Sequence, residues 1–186
     1  MDAPNQARTA VDMLTPLVHA TTAEDMTKPT PCSKWAVRDL INHVTGGGHM
    51  FAASLRGETI DMTDAPADLV GDDPIGAYDG AIAAFSSALA GAKDLSAPAV
   101  LPFATVPADV ALRIAAADIL VHSWDLATAT GQRFDPPEDF VNAVEPFFHQ
   151  FVGPDLRSED IFGDPVEPPA GATPIQRLVA FAGRQP

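Results

Sequence analysis

The sequence predicts an all-α protein, most simply a four-helix bundle with an additional C-terminal helical or irregular segment. Three observations favour this class. Apolar residues recur at helical spacing in several blocks of the chain, prolines and glycines separate those blocks, and alternating strand patterns are scarce. Helices that each carry one apolar stripe bury it by packing against one another.

Size and charge narrow the classes of function. The chain has 186 residues, of which 46% are hydrophobic, so we expect a single domain over 1–186, with its core at about 3–152 and a C-terminal extension over 153–186. The net charge of −14, without a basic cluster, argues against nucleic acid and anionic membranes as partners. A small molecule remains the expected partner, and the sequence leaves monomer and homodimer open.

The compartment is expected to be the cytoplasm. No apolar run is long enough for a membrane span, and the N-terminal residues lack the pattern of a signal peptide. The single cysteine, Cys32, cannot form an internal disulfide, which fits a reducing environment.

Proline and capping signals bound the first two predicted helices. A weak apolar stripe predicts a helix over 5–20, and the prolines of TKPTPCS exclude its continuation. Ser33 is the candidate N-cap of a second helix that runs to about Leu55. Cys32 precedes this helix; a helix N-terminus can activate a thiol, but no histidine is adjacent in sequence, so we interpret it as structural.

A loop and a third helix follow. We interpret residues 56–72 as a loop. Asp73 followed by Pro74 is a start signal, in which a cap precedes a proline at the first helical position, and the apolar spacing carries the helix to about Leu89. The segment VLPFATVP after it is a short extended or turning connection.

The remaining helices are marked by the same signals. Pro107 opens the fourth predicted helix and Gly131 is placed to end it. A fifth helix is predicted over about 137–151, which Pro146 should kink or shorten. After a proline-rich tail, Thr173 suits the start of a final short helix.

Three ionisable residues interrupt the apolar surface of the fourth helix. Asp118, His122 and Asp125 fall within about 60° of one another on the helical wheel. Buried ionisable groups are costly unless they are paired or bound to a metal. Asp118 and His122, one turn apart, can share one ion, or they can simply hydrogen-bond to each other; the pair alone leaves both readings open.

A third ligand would favour the metal. His43 lies beside the apolar stripe of the second helix and is followed by three glycines, 46–48, which indicate either a bent helix or space beside a site. His49 is harder to place, whereas His19 and His149 are expected to be exposed near helix ends.

Two motifs of the sequence resemble a known family. TPCSKWAVRDLINHVTGGGHMFA, followed downstream by DILVHSWDLATATGQ, is similar to the DinB-like, metal-binding four-helix superfamily, in the branch related to the N-terminal domain of mycothiol-dependent maleylpyruvate isomerase. The C-terminal RLVAFAGRQP resembles the ending of a subgroup of uncharacterised proteins in that branch. The resemblance spans nearly the whole chain and is specific for fold and metal site, much less so for reaction.

The resemblance implies a set of metal ligands. One histidine from the second helix and an acid-x-x-x-histidine pair from a later helix map to His43, Asp118 and His122, which would hold a divalent ion, usually zinc, although Ni²⁺, Fe²⁺ or Mn²⁺ also suit these donors. Asp125 would orient a ligand rather than bind the ion. The chain departs from the isomerase in having Asp118 where the isomerase has glutamate, and too few residues follow the fifth helix for the isomerase's additional C-terminal domain.

Three functions follow. The resemblance implies a metal-dependent enzyme that uses a low-molecular-weight thiol, with mycothiol as cosubstrate in a transferase or isomerase reaction, or metal-bound water in a hydrolase. Maleylpyruvate isomerisation itself is not expected. The second is a non-catalytic metal- or ligand-binding protein, which a closed shell completed by Asp125 or His49 would favour. The third is a helical domain in which Asp118 and His122 are a buried hydrogen-bonded pair.

Overall fold

Six α-helices and one β-hairpin make up the part of the chain that the computed structural model describes, residues 1–58, 67–157 and 162–186. The elements are α1 (Ala3–His19), α2 (Val37–Leu55), α3 (Pro74–Gly91), β1 (Pro98–Leu101), β2 (Ala104–Pro107), α4 (Ala108–Thr130), α5 (Glu138–Phe151) and α6 (Pro174–Phe181). The prediction of an all-α bundle is confirmed. Within the described residues, the antiparallel hairpin is the one sheet, with Pro98 opposite Pro107 and Leu101 opposite Ala104.

Helix α4 is the centre of the bundle. It packs along α1, against α2 and α5, and on the hairpin and α6, while α2 packs along α3 and α1 also touches α3. Its buried residues lie on nearly all sides of the helix, as the sequence predicts. Polar side chains on α4 therefore face other helices or an internal cavity.

Three of the predicted helix boundaries are confirmed by their hydrogen bonds and dihedral angles. The Asp73 carboxylate accepts from the N–H of Gly76 at the start of α3, and the Thr173 hydroxyl accepts from the N–H of Gln176 at the start of α6. Gly131 follows α4 with φ of 70°, a left-handed conformation that a residue with a side chain adopts rarely.

The predicted start of the second helix is wrong. Ser33 is not its N-cap, because α2 begins at Val37. The N–H of Thr30 donates to the carbonyl of Trp35, so the chain turns back on itself before the helix starts. The Asp39 carboxylate then accepts the N–H of the residue preceding α2, which is the cap that the sequence analysis overlooked.

Two further expectations have mixed outcomes. Pro146 does not shorten α5, which continues through it to Phe151. The predicted loop over 56–72 and the predicted irregular tail over 153–173 fall partly outside the described residues. Where the structure describes the chain, no helix combines the length and the apolar character that crossing a membrane requires.

Candidate metal centre

Helices α2 and α4 bring His43, Asp118 and His122 together. Oδ1 of Asp118 lies 3.4 Å from Nε2 of His43 and 3.5 Å from Nε2 of His122. The two imidazole rings meet edge to face, with their centroids 4.8 Å apart. The potential ligand atoms of the three residues all lie within 4.8 Å of one another, so the predicted metal ligands converge on one point.

Exposure differs among these three side chains. His122 is 8% exposed, Asp118 28% and His43 38%, so Asp118 is less buried than the apolar surroundings in the sequence suggested. The cavity between α2 and α4 accounts for this difference, since both Asp118 and His43 line it. Of the three side chains, His122 is therefore buried in the core, whereas His43 is accessible from the cavity.

A completely buried carboxylate holds the other ring nitrogen of His122. Oδ2 of Asp125 lies 3.1 Å from Nδ1 of His122. The Asp125 side chain has no exposed surface. With Nδ1 engaged in this way, Nε2 of His122 is directed toward Asp118, an arrangement common for histidines that bind metals.

Two residues complete the surroundings of Asp125. Arg184 donates from Nε to Oδ1 at 3.2 Å and from Nη2 to Oδ2 at 3.0 Å. The Cys32 thiol donates to Oδ2 at 3.3 Å and accepts from Nη2 of Arg184 at 3.1 Å. A buried network thus links the turn before α2, helix α4 and the C-terminal residues.

The turn before α2 also places an aromatic side chain over the imidazoles. The Trp35 ring lies 4.7 Å from the His43 ring and stacks on the His122 ring at 5.5 Å, measured between centroids. Both histidines are therefore held by packing as well as by their polar contacts. This turn differs from the helical start predicted for these residues.

The charges of these groups shift their ionisation. Burial alone would raise the pKa of Asp118, but the imidazoles of His43 and His122 hold that pKa well below its usual range. Burial alone would lower the pKa of His122, but Asp118 and the hydrogen bonds to Asp118, Asp125 and Cys32 raise it well above its usual range. The two carboxylates thus favour a positive charge at His122, carried by a proton or by a metal ion.

A second group of potential ligands shares His122. Cys32, His122 and Asp125 also bring their ligand atoms within 4.8 Å of one another. The guanidinium of Arg184 already contacts both the thiol and the carboxylate of this group. Because a cation already occupies this position, an ion is better accommodated between His43, Asp118 and His122.

A cavity of about 740 Å³ adjoins the three converging side chains. Residues of α2, α4, α5, the hairpin and the C-terminal segment line it: Pro31, Cys32, Ser33, Lys34, Trp35, His43, Gly47, Met50, Phe51, Phe103, Ile114, Ala117, Asp118, His122, Phe148, Phe151, Leu156, Phe162, Gly163, Ala182, Gly183 and Arg184. Its size is that of a small-molecule site, for which about 300–1,000 Å³ is typical.

The three glycines of α2 have different surroundings. Gly47 lines the cavity, and a Cβ there would meet no atom within 4 Å. A Cβ at Gly48 would lie 3.3 Å from the backbone of Ala81, so this glycine permits the close approach of α2 and α3. Helix α2 continues without a break through all three, and of the three only Gly47 lines the cavity.

Sequence analysis anticipated that His43, Asp118 and His122 lie together and that Asp125 contacts one of them. His49 is exposed, apart from these residues, and His19 and His149 are exposed as predicted. Cys32 was interpreted as structural, and its contacts with Asp125 and Arg184 were not foreseen. Trp35 and Arg184 were missed; a buried arginine near the C-terminus has no signal in one sequence, because its partner Asp125 lies 59 positions away.

Comparison with known proteins matches this geometry to a family. The family model described as the mycothiol maleylpyruvate isomerase N-terminal domain matches residues 7–127, so Arg184 lies beyond the matched region. Two uncharacterized proteins of Mycobacterium tuberculosis, from strains CDC 1551 / Oshkosh and H37Rv, are each 33% identical over 179 residues, covering 94% of this chain and 93% of their own length.

Two solved structures have a fold similar to that of this chain. The crystal structure of the mycothiol-dependent maleylpyruvate isomerase aligns with a TM-score of 0.63 at 18% identity, over 75% of this chain and 65% of that one. A histidine-to-alanine mutant of that isomerase aligns with a TM-score of 0.64 at 15% identity, over 81% and 72% of the two chains. The chain thus spans about two thirds of the isomerase, and it belongs to the mycothiol maleylpyruvate isomerase N-terminal domain family.

Proposed function

We propose that this protein is a metal-dependent enzyme that uses a low-molecular-weight thiol, of the mycothiol type, in a transferase or isomerase reaction. The observation that carries the proposal is the convergence of His43, Asp118 and His122 beside a cavity of small-molecule size. The ion would be divalent, with zinc favoured over Ni²⁺, Fe²⁺ and Mn²⁺. The reducing cytoplasm, where such thiols are kept reduced, is the compartment we propose.

The two distances from Asp118 to the imidazoles fit ligands of one metal ion better than short hydrogen bonds. Good N–H···O hydrogen bonds span about 2.7–3.2 Å, whereas Asp118 Oδ1 lies 3.4 and 3.5 Å from the two Nε2 atoms. Ligands at about 2.1 Å from a tetrahedral ion lie about 3.4 Å from one another. The separations therefore support the donor set implied by the family resemblance.

The surroundings support a catalytic rather than a purely structural ion. Asp125 is occupied by His122, Arg184 and Cys32, and His49 is exposed, so neither is placed to close the shell. Three protein ligands leave an open coordination position, which is characteristic of catalytic zinc. That position would face the cavity, since Asp118 and His43 both line it.

A divalent ion held there would lower the pKa of a bound thiol or water toward neutrality. Asp125 fixes the ring of His122, Trp35 packs against both imidazoles, and the cavity orients the two reactants. The thiol sulfur forms a C–S bond with an electrophilic carbon. In a transferase, either the π electron pair of an adjacent C=C moves to the neighbouring carbon, which takes up the proton released by the thiol, or a leaving group departs with its bonding pair and takes up that proton. In an isomerase, the π electron pair moves into the conjugated group, the former double bond rotates, and departure of the thiolate restores the C=C.

The choice of thiol rests on the family. The name of the family and of the aligned isomerase includes mycothiol, which supports a thiol of that type here. At 15–18% identity, the aligned structures show the fold and do not carry over maleylpyruvate as the substrate. Two alternatives use the same site: a hydrolase in which water takes the place of the thiol, and a non-catalytic metal- or ligand-binding protein.

The first experiment is the metal content of protein purified without an affinity tag or a chelator, measured by plasma mass spectrometry. We expect about one equivalent of a divalent ion in the parent protein, and its loss in His43→Ala, Asp118→Ala and His122→Ala. His49→Ala, an exposed histidine of the same helix, and Cys32→Ala, which removes a member of the second group of potential ligands, serve as controls that keep the ion. Circular dichroism checks the fold of each variant.

The outcomes separate the candidate functions. No stoichiometric metal after reconstitution with zinc would contradict the site and leave Asp118 and His122 as a hydrogen-bonded pair. Loss of metal in Cys32→Ala instead of His43→Ala would move the ion to the second group. With the metal established, a panel of electrophiles is tested with mycothiol and without it. Turnover that requires the thiol supports the transferase or isomerase, and turnover without the thiol supports the hydrolase. No turnover under either condition supports the non-catalytic protein.

A further inference from the structure

We infer that the electrophile is an uncharged, largely apolar molecule with an aromatic or branched aliphatic body. The inference rests on the proposed function, because it names the substrate class of that same site. The observation behind it is the kind of side chains, charged and apolar, that line the cavity.

The cavity combines a cluster of ionisable side chains with a larger apolar lining. The ionisable side chains are those of the candidate metal centre, of the turn before α2 and of Arg184. Much of the apolar lining, which we term the aromatic wall, consists of Met50, Phe51, Phe103, Phe148, Phe151 and Phe162. A molecule that reaches from the metal centre into the cavity therefore lays its body against rings and a thioether, where an aromatic or branched group gains the most from burial.

The charges around the candidate metal centre would balance one another with both proposed partners bound. A divalent ion and Arg184 would supply three positive charges, and Asp118, Asp125 and the thiolate of the cosubstrate would supply three negative charges. Arg184 is 6% exposed and its donors reach Asp125, Cys32 and the carbonyl of Ala182. It is therefore not available to hold a carboxylate of the substrate, which would enter the cavity without compensation.

One other cationic side chain, Lys34, lines the described part of the cavity. Lys34 is exposed and takes part in an interaction of its own. A solvated cation at the rim gives little binding energy to an anion, because water screens it. The balance of charge thus disfavours a substrate with a carboxylate near its reactive carbon.

The entrance of the cavity is apolar, like the aromatic wall. Phe103, at the tip of the β1–β2 hairpin, is 60% exposed, although it also lines the cavity. Phe148 and Phe162, which also line the cavity, meet edge to face at 5.5 Å between centroids, and the Phe162 ring lies beside the guanidinium of Arg184. Apolar surface therefore extends from the mouth of the cavity to its interior.

The test is a direct binding measurement, which needs neither metal nor turnover. N-phenyl-1-naphthylamine, an uncharged aromatic fluorophore, is titrated into the full-length protein with and without zinc, and we expect saturable binding in both. Methyl cinnamate, a neutral electrophile, and cinnamate, its anionic counterpart, then compete for the probe in the metal-free protein, because an open position on zinc would itself bind a carboxylate when no thiolate occupies it. We expect the ester to displace the probe at a concentration at least about tenfold lower than the acid, because the acid carries an uncompensated charge into the cavity.

A matched pair of variants locates the binding. Met50→Glu places a carboxylate on the aromatic wall and is expected to weaken binding of the probe at least about tenfold. Met13→Glu changes another half-buried methionine, on α1 and outside the cavity lining, and is expected to leave binding unchanged. Circular dichroism of both variants shows that the fold is retained.

Equal or tighter binding of cinnamate would overturn the inference and indicate a carboxylate substrate. Binding of the probe that is insensitive to Met50→Glu, binding that falls as much in Met13→Glu as in Met50→Glu, or no binding to the parent protein would overturn it as well. Because the probe is tested with and without zinc, a protein that binds it but retains no metal would contradict the proposed function alone.

Discussion

Arg184 and Asp125 form a buried ion pair with two parallel hydrogen bonds, although 59 positions separate them in the sequence. The Asp125 side chain is 0% exposed and that of Arg184 is 6% exposed. Burial alone would raise the pKa of Asp125, whereas His122 and Arg184 lower it, so the carboxylate is ionised inside the core. The C-terminal residues thereby supply the countercharge for the group that orients a candidate metal ligand.

We predict that Arg184→Ala destabilises the protein by about 3–5 kcal/mol, because it leaves the Asp125 carboxylate buried without its cation. Arg184→Lys, which keeps the charge but loses the planar fork, should be less damaging. Urea unfolding followed by circular dichroism measures both.

The control for this prediction is Arg133→Ala. Arg133 pairs with Asp135 on the surface, where the two side chains are 87% and 75% exposed. Such pairs contribute less than about 1 kcal/mol. Equal effects of the two alanine variants would contradict a structural role for the buried pair.

Asp125→Asn tests how far the orientation of His122 matters for the ion. We expect the affinity for zinc to fall about 10–100-fold, since asparagine lacks the charge that polarises the ring bonded at Nδ1. Competition with a chromogenic zinc chelator measures the affinity of the folded variant. Asp139→Asn, on the first turn of α5, is a matched control outside the site. An unchanged affinity in Asp125→Asn would mean that the ion is held without help from this carboxylate.

The sequence predicts this fold well where local chemistry sets it. Asp73, Gly131 and Thr173 act through their own side-chain or backbone geometry, which is readable from neighbouring residues. The start of α2 was predicted wrongly because the residues around Ser33 form a turn instead of the first turn of a helix. In that turn the N–H of Thr30 donates to the carbonyl of Trp35, and Trp35 packs against His122 of α4.

The same distinction, between local and distant partners, separates the site residues that could be predicted from those that could not. His43, Asp118 and His122 could be identified because two of them lie one turn apart on an otherwise apolar helix and the third is implied by resemblance. Arg184 and Cys32 could not, since each acquires its role through a partner distant in sequence. Helix periodicity reports which face a residue occupies and carries no information on which element will cover that face.

Gly47 and Gly48 should respond oppositely to alanine. Gly47→Ala is expected to stabilise the protein by about 0.5–1 kcal/mol, because a helix gains from alanine and the new Cβ meets no atom within 4 Å. Gly48→Ala is expected to destabilise, since a Cβ 3.3 Å from the backbone of Ala81 adds an overpacking cost of about 1–3 kcal/mol. Thermal and urea unfolding compare the two. A Gly48→Ala protein as stable as Gly47→Ala would show that α2 and α3 can separate freely.

Tyr78 gives a prediction of pH dependence in a part of the bundle distant from the site. It is the one tyrosine of the chain, is fully buried, and shares a 3.0 Å hydrogen bond with the hydroxyl of Thr15. Burial raises the pKa of Tyr78 to about 12, compared with about 10 in an unfolded chain. The neutral phenol is therefore favoured in the folded state, and the stability it contributes is complete below pH of about 10 and is lost as the pH rises toward 12.

Absorbance at the phenolate band should change near pH 12 in the native protein and near 10 in urea. A midpoint near 10 with the helical circular dichroism retained would contradict the burial of this side chain between α1 and α3.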